Sequence, residues 1–99
     1  MKSGIDILQD WYASQCDGKW EHEFGIEINT IDNPGWHVKI SIKGTRYENF
    51  SWPLLKIDNG KNDWIFCSRE GDAFTGAGDP KKLGEILSFF ETKGGRIKN

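Results

Sequence analysis

The chain has 99 residues, 13 basic and 15 acidic side chains, and a formal net charge of −2 at pH 7. A chain of this length buries roughly 65% of the surface that its unfolded form exposes, so we expect one domain spanning residues 1–99. The acidic balance disfavours a nucleic-acid-binding protein, because gripping phosphate normally requires a basic surplus. No apolar run approaches the roughly 20 residues of a membrane helix and no signal segment is apparent, so we expect a cytoplasmic protein without membrane contact.

Aromatic side chains dominate the apolar composition. The chain holds five Trp, six Phe and two Tyr within an apolar fraction of only 36%. Each packed ring buries about 150–250 Å², so much of the core must be aromatic. The patterns described below place Trp11, Trp20 and Trp36 in that core.

The first predicted element is an amphipathic helix from about Gly4 to Cys16. Ser3-Gly4-Ile5-Asp6 has the pattern of a capping box with Ser3 as the N-cap, and Asp17-Gly18 ends the helix. The apolar residues follow helical spacing and predict one buried stripe: Ile5, Leu8, Trp11, Tyr12 and Cys16.

From Trp20 the hydrophobic period changes to two, which predicts a β-hairpin around the turn Asp32-Asn33-Pro34-Gly35. Proline fixes φ in that turn, and glycine is free to take a positive φ. Apolar residues occupy even positions in both strands, so the numbers of opposed residues must have an even sum. A sum of 66 is favoured because it also pairs opposite charges. It sets four pairs opposite each other: Ile28 with Val38, Ile26 with Ile40, Glu27 with Lys39, and Glu23 with Lys43.

A second hairpin is predicted from strands at about Phe50–Ile57 and Asp63–Arg69, joined by the turn Asp58-Asn59-Gly60-Lys61. Pro53 cannot donate a ladder hydrogen bond, so its strand is expected at a sheet edge or with a bulge. The run Trp64-Ile65-Phe66-Cys67 is apolar without alternation, which indicates a strand covered on both faces or one with an apolar outer surface.

The C-terminal part reads as a glycine-rich loop followed by a helix. Residues Gly71 to Gly78 form the loop, with Phe74 in the core. Asp79 is expected as the N-cap and Pro80 as the first helical residue, Gly94-Gly95 as the stop, and residues 94–99 as a frayed tail. The predicted fold is therefore α+β: a four-stranded antiparallel sheet of two hairpins, with an N-terminal and a C-terminal helix on one face.

No residue pattern predicts a catalytic or metal site. Cys16 lies near a helix C-terminus and Cys67 in an apolar strand, and both settings disfavour a thiolate. His22 and His37 have opposite parity, so a sheet would separate them. The glycine-rich segment continues as Gly-Asp-Pro rather than the Gly-Lys-Ser/Thr of a phosphate loop. We expect no cofactor.

A set of distinctive strings is spread from about Ile5 to Phe90: Asp10-Trp11-Tyr12 with Gln15, Trp20-Glu21-His22, Gly25, Asp32-Asn33-Pro34-Gly35-Trp36, Asp63-Trp64, and Phe74 with Gly76. Together they resemble the immunity protein 53 family of bacterial polymorphic toxin systems. The segment Glu91-Thr92-Lys93 departs from that likeness, because another aromatic residue is expected after Phe90. The resemblance implies a protein that neutralises the toxin encoded beside it by binding, and it implies no catalytic residue.

The resemblance and the charge distribution lead to one expected function, non-covalent occlusion of a cognate toxin domain. Residues 1–35 carry seven acidic and two basic side chains, and an acidic surface steers a basic partner. Six acids are expected to recognise the toxin: Asp10, Asp17, Glu21, Glu23, Glu27 and Asp32.

Two other classes of function remain as alternatives. A small enzyme would use Cys67 or His22 in a pocket between the sheet and the loop 71–78. A ligand- or nucleic-acid-binding module would use exposed sheet aromatics beside basic residues such as Lys39 and Lys43.

Overall fold

The computed structural model describes residues 4–94, so Ser3 of the expected capping box and residues 95–99 of the expected tail lie outside the described part. The sheet order is β1-β2-β5-β4-β3, and all neighbouring strands are antiparallel. The α+β class and the antiparallel sheet are confirmed, but the sheet has five strands rather than four. The elements are α1 (Gly4–Gln15), α2 (Trp20–Glu23), β1 (Ile26–Ile31), β2 (Gly35–Ser41), β3 (Leu55–Asp58), β4 (Trp64–Glu70), β5 (Ala73–Gly78) and α3 (Leu83–Glu91).

The fifth strand is the segment that was expected to be a glycine-rich loop. β5 lies at the centre of the sheet, between β2 and β4, and Phe74 on it is buried as expected. Its glycines serve close packing: a Cβ at Gly76 would collide with the side chain of Ile86, and a Cβ at Gly78 with that of Lys82. The loop prediction was wrong because glycine in a strand can mark a close approach as well as a turn.

The first hairpin has the predicted register of 66, which pairs Ile28 with Val38 and Glu27 with Lys39. Its first strand is shorter than expected, since residues 20–23 form the helical turn α2. The expected ladder pair of Glu23 with Lys43 is therefore absent from the β1–β2 pairing.

Contacts of the Trp20 side chain stabilise the helical turn that replaces the start of that strand. The indole Nε1 of Trp20 donates a hydrogen bond to the Lys43 carbonyl at 2.9 Å. The rings of Trp20 and Phe24 lie 6.0 Å apart, and their spacing of four residues suits a helical turn as well as an alternating strand. The turn between the strands is confirmed, but Gly35 is already the first residue of β2. Glycine is required there by close approach, since a Cβ would collide with the Gly78 carbonyl.

The second hairpin is confirmed, but its first strand is shorter than expected: β3 begins at Leu55 rather than at about Phe50, so Pro53 lies just before this edge strand and not within it. The start of α3 differs from the prediction, because Lys82 rather than Asp79 precedes the helix as its N-cap residue.

Asp79 is instead a buried carboxylate that fastens β4 to the turn before α3. It accepts hydrogen bonds from the Trp64 amide at 2.9 Å and the Lys82 ammonium at 2.6 Å, and Lys82 also contacts Asp63 at 2.8 Å. Lys82 and the backbone amides lower the pKa of Asp79 to about 2. At the other end of α3, Gly94 has a φ of 91° and donates to the Phe89 carbonyl at 2.9 Å, as its predicted role as a helix stop requires.

The core lies between the sheet and the helices α1 and α3, and its centre is aromatic. The Trp11 ring lies 5.2 Å from Phe90 and 5.9 Å from Tyr47, and the Trp52 ring lies 5.4 Å from Phe90. Trp11 and Trp20 are buried as predicted, whereas Trp36 is half-buried and donates to the Pro80 carbonyl at 2.9 Å.

The stripe predicted for α1 is only partly buried. Leu8 and Trp11 lie in the core, but Ile5, Tyr12 and Cys16 are exposed. No helix within residues 4–94 is long and apolar enough to cross a membrane.

Replacing Trp11 with alanine should destabilise the protein by about 3–5 kcal/mol, because the aromatic cluster cannot collapse to fill the space. Urea denaturation followed by circular dichroism measures the change. Tyr12→Ala on the same helix is the matched control, since Tyr12 is 37% exposed and its removal should lower the free energy of unfolding much less. Equal losses for the two variants would contradict the assignment of Trp11 to the centre of the core.

Glu91, the last residue of α3, has a carboxylate in an unfavourable environment. Its Oε2 atom is buried and has no hydrogen-bond partner among the described residues. Desolvation raises its pKa from 4.5 to about 7. The folded state therefore binds more protons than the unfolded state between these two values, so stability falls as pH rises through this interval.

Glu91→Gln should raise the melting temperature at pH 8 and change it little at pH 4.5. Because the side chain is partly solvated, the expected gain in the free energy of unfolding is reduced to on the order of 1 kcal/mol. This corresponds to a rise of about 4–8 °C in the melting temperature. Thermal melts of both proteins across pH 4–8 measure it. A difference that does not vary with pH would contradict the burial of this carboxylate.

Candidate functional site

The sheet has one face packed against helices and one face turned away from them. The second face, called the outer face below, carries the odd-numbered residues of β1, β2 and β5 and the even-numbered residues of β3 and β4, as the registers require. Apart from the buried Ala73, its side chains are exposed or half-buried. They include Glu27, Asn29, His37, Lys39, Lys56, Trp64, Phe66, Ser68, Glu70, Thr75 and Ala77.

The outer face is recessed along its central strand, β5. β5 places only small side chains there, Thr75 and Ala77 among them, while β2 and β4 on either side carry larger ones. A shallow recess of about 120 Å³ lies over this strand, between His37 and Phe66. The face is therefore a trough in which a partner can contact both walls.

One end of the outer face opens into a groove of about 510 Å³ with four carboxylates and one amine in its lining. We call it the acidic groove, and its charged residues are Glu23, Glu27, Glu70, Asp72 and Lys39. The hydroxyl of Thr75 donates to Glu70 at 3.3 Å, and Lys39 lies across the ladder from Glu27. Carboxylates outnumber the amine four to one in this lining, so the groove attracts cationic side chains.

The other end of the outer face is aromatic. Phe66 is 41% exposed, and the ammonium of Lys56 lies 5.5 Å from its ring centroid. Trp64 lies beside it, and the two rings help to line a depression of about 340 Å³. An exposed aromatic ring within a charged rim is a common composition for a protein interface.

The six acids predicted from the sequence do not lie on one sheet face. Glu23 and Glu27 meet in the acidic groove, but Glu23 and Glu21 belong to α2 and not to a strand, so their expected position on the outer face of a strand was wrong. Asp10 lies on α1, and Asp32 lies in the turn between β1 and β2.

Asp17 and Glu21 bind backbone amides within their own segment. Asp17 accepts hydrogen bonds from the amides of Lys19 and Trp20 at 2.9 Å each, and Glu21 accepts from those of Asp17 and Gly18 at 2.9 and 2.8 Å. The Trp20 amide, foremost, and other backbone amides lower the pKa of Asp17, and backbone amides likewise lower that of Glu21. These two carboxylates hold α2 in place.

The catalytic candidates are far from forming a site. Cys67 is buried on the helix-covered face, His22 is exposed on α2, and the expected pocket beside a loop 71–78 is replaced by the pairing of β5 with β4. Within residues 4–94, no cluster of three or more His, Cys, Asp or Glu side chains could hold a metal ion.

Sequence reasoning missed three residues of the outer face, Trp64, Phe66 and Glu70, and one further residue of the acidic groove, Asp72. A signal for the aromatic pair existed, since the apolar run without alternation allowed a strand with an apolar outer surface. The exposure of Phe66 confirms that option. Glu70 and Asp72 carried no signal, because their place beside Glu23 depends on β5 being a strand.

Asp17→Ala should lower the melting temperature, because two amides at the start of α2 lose their acceptor, whereas Glu27→Ala should leave it nearly unchanged. A carboxyl with a depressed pKa contributes stability above its unfolded value of 3.8 and loses that contribution as pH falls. The difference in melting temperature between the two variants should therefore become smaller below pH 4. A larger loss for Glu27→Ala would reverse the roles given to these acids.

Comparison with known proteins gives one match. The family model described as immunity protein 53 matches residues 5–94, nearly the whole chain. No curated protein and no solved structure matches the chain.

Proposed function

Because the chain belongs to the immunity protein 53 family, we propose that it is a cytoplasmic immunity protein that binds a cognate bacterial toxin domain and neutralises it by non-covalent occlusion. The observation that carries the proposal is the outer face, where an acidic groove and an exposed aromatic ring adjoin a shallow trough. A surface of this kind suits a protein partner with a basic patch, and no chemistry by the immunity protein itself is required.

The two ends of the outer face have complementary roles in this proposal. The acidic groove accelerates encounter with a basic patch and disfavours acidic partners. Phe66 and Trp64 offer apolar area that a partner can bury, and buried aromatic residues commonly supply most of an interface's binding energy. The small side chains of β5 let the partner approach the backbone of the sheet.

Among the six predicted acids, we propose that Glu23 and Glu27 make the principal contacts, because both line the acidic groove and both are exposed. Asp10 and Asp32 add to the negative field of the N-terminal segment. Asp17 and Glu21 contribute mainly by fixing α2, which positions Glu23 at the groove.

The alternative functions find less support. An enzyme that uses Cys67 or His22 would need a pocket between the sheet and residues 71–78, but Cys67 is buried, His22 is exposed on α2, and residues 73–78 pair with β4 as a strand. A module that stacks nucleic-acid bases would use Phe66 with Lys56 and Lys61, but the acidic groove on the same face repels phosphate.

The direct test begins with the neighbouring gene. A large secreted protein with a variable C-terminal domain is expected there, and that domain should be toxic when expressed alone and harmless when expressed with this chain. A pull-down of the two should show a complex, with nanomolar affinity, or about −12 kcal/mol. Persistent toxicity during co-expression of the folded protein would overturn the proposal.

Reversing two charges in the acidic groove, Glu23→Lys with Glu27→Lys, should weaken toxin binding and protection while the melting temperature stays close to that of the parent protein. The double variant Glu23→Gln with Glu27→Gln removes the charges without reversing them and should have a smaller effect. Titration calorimetry at low and high salt measures both. If the reversed variant binds as tightly as the parent at low salt, the acidic groove is not the docking site.

A further inference from the structure

β1 is an edge strand with one set of backbone groups turned away from the sheet. It pairs with β2 alone. The Ser41 amide donates to the Gly25 carbonyl at 3.0 Å, which marks residues 25 and 41 as a hydrogen-bonded pair of the antiparallel ladder. Hydrogen-bonded and non-hydrogen-bonded pairs alternate, so the N–H and C=O groups of Ile26, Ile28 and Thr30 point outward.

The two edges of the sheet differ in how they are protected. β3 has only four residues, carries Lys56, and follows Pro53, all of which discourage pairing with another strand. β1 has six residues, Ile26–Ile31, with neither lysine nor proline, and Ile28 on it is 40% exposed. Natural proteins normally block strand edges with charges, proline or short strands, and Glu27 is the one charged residue of β1.

Both faces beside this edge are shaped to receive side chains. On the helix-covered side an apolar groove of about 370 Å³ runs between α1 and the start of β1, with Ile5, Leu8 and Tyr12 in its lining. On the outer side lies the acidic groove. The two grooves meet at Gly25 and Ile26, which line both of them.

We propose that the edge of β1 binds an extended segment of the partner that alternates basic and apolar side chains. The backbone of that segment would continue the sheet at Ile26, Ile28 and Thr30. Its apolar side chains would enter the groove beside Tyr12, and its basic ones would face Glu23 and Glu27. This inference rests on the proposed function and states the chemistry that β1 recognises in the toxin.

Charge selects this occupant over a second copy of the chain. Pairing two copies through β1 would bring two acidic grooves together, with Glu23 and Glu27 on each, and like charges across a strand pair are unfavourable. A basic segment replaces that repulsion with attraction.

The test uses two synthetic probes and the full chain, without any toxin. One peptide alternates lysine and valine, and its control alternates glutamate and valine. The lysine peptide should bind and slow the amide hydrogen exchange of Ile26, Ile28 and Thr30, measured by NMR, while the glutamate peptide should not. Absence of binding, binding without protection of these amides, equal binding of both peptides, or dimerisation of the chain through β1 would each overturn the inference.

A matched pair of variants separates backbone pairing from side-chain contact. Ile28→Pro removes one outward N–H without touching the ladder to β2, and proline is tolerated at such an edge position. It should weaken peptide binding about three- to tenfold relative to Ile28→Ala, which loses the side chain but keeps the amide. Equal affinities of the two folded variants would show that the edge does not pair.

The same variants distinguish this inference from the proposed function. If Ile28→Pro protects against the toxin as well as Ile28→Ala and the parent chain do, the toxin docks elsewhere and the strand-pairing inference fails while the immunity function stands. If the parent chain gives no protection, the immunity function itself fails.

Discussion

The close approach of α3 to the central strand is the constraint on which the rest of the structure depends. Gly76 and Gly78 place no side chain of their own against the start of α3, so Ile86 and Lys82 rest against the sheet backbone there, while Phe74 on the same strand contacts Phe89 and Phe90. The helix side of the sheet is filled by α3, α1 and the aromatic cluster, and most large apolar residues of the strands face that side, with Trp64 and Phe66 among the exceptions. The other side remains available, and this division creates the outer face that we propose as the toxin-binding surface.

The docking proposal follows from an imbalance between two faces and between two edges. The outer face joins negative charge to an exposed aromatic ring. The edge of β1 has open backbone groups, whereas Pro53 and Lys56 protect the edge of β3 against pairing. In this proposal the negative charge raises the association rate and the selectivity for a basic partner, and the aromatic area supplies binding affinity. Backbone pairing fixes the orientation of the bound segment. A small protein can thus combine three modes of recognition on one sheet.

The register of the first hairpin was predicted correctly from the sequence, because parity and charge pairing are local properties of two adjacent strands. Prediction from the sequence failed for β5, where glycines that serve packing against Ile86 look the same as glycines that serve a loop. It also failed at Trp20, since a spacing of two repeated twice is close to one helical turn, and hydrophobic periodicity does not reveal the hydrogen bonds of Asp17, Glu21 and Trp20 that hold α2. The acidic groove was therefore only partly predicted: Glu27 lies on the correctly predicted hairpin, Glu23 lies on the helical turn before it, and Glu70 and Asp72 join them only through the missed strand.

The alternation of burial from His37 to Ser41 in β2 has an evolutionary consequence. Val38 and Ile40 are fully buried, whereas their neighbours His37 and Lys39 point to the opposite side of the sheet. Substitutions at the second set therefore change what the surface recognises with little effect on the melting temperature. Under the proposed toxin binding, lineages of this fold can follow a diverging partner by mutating alternate codons, while the intervening ones are kept by selection for folding.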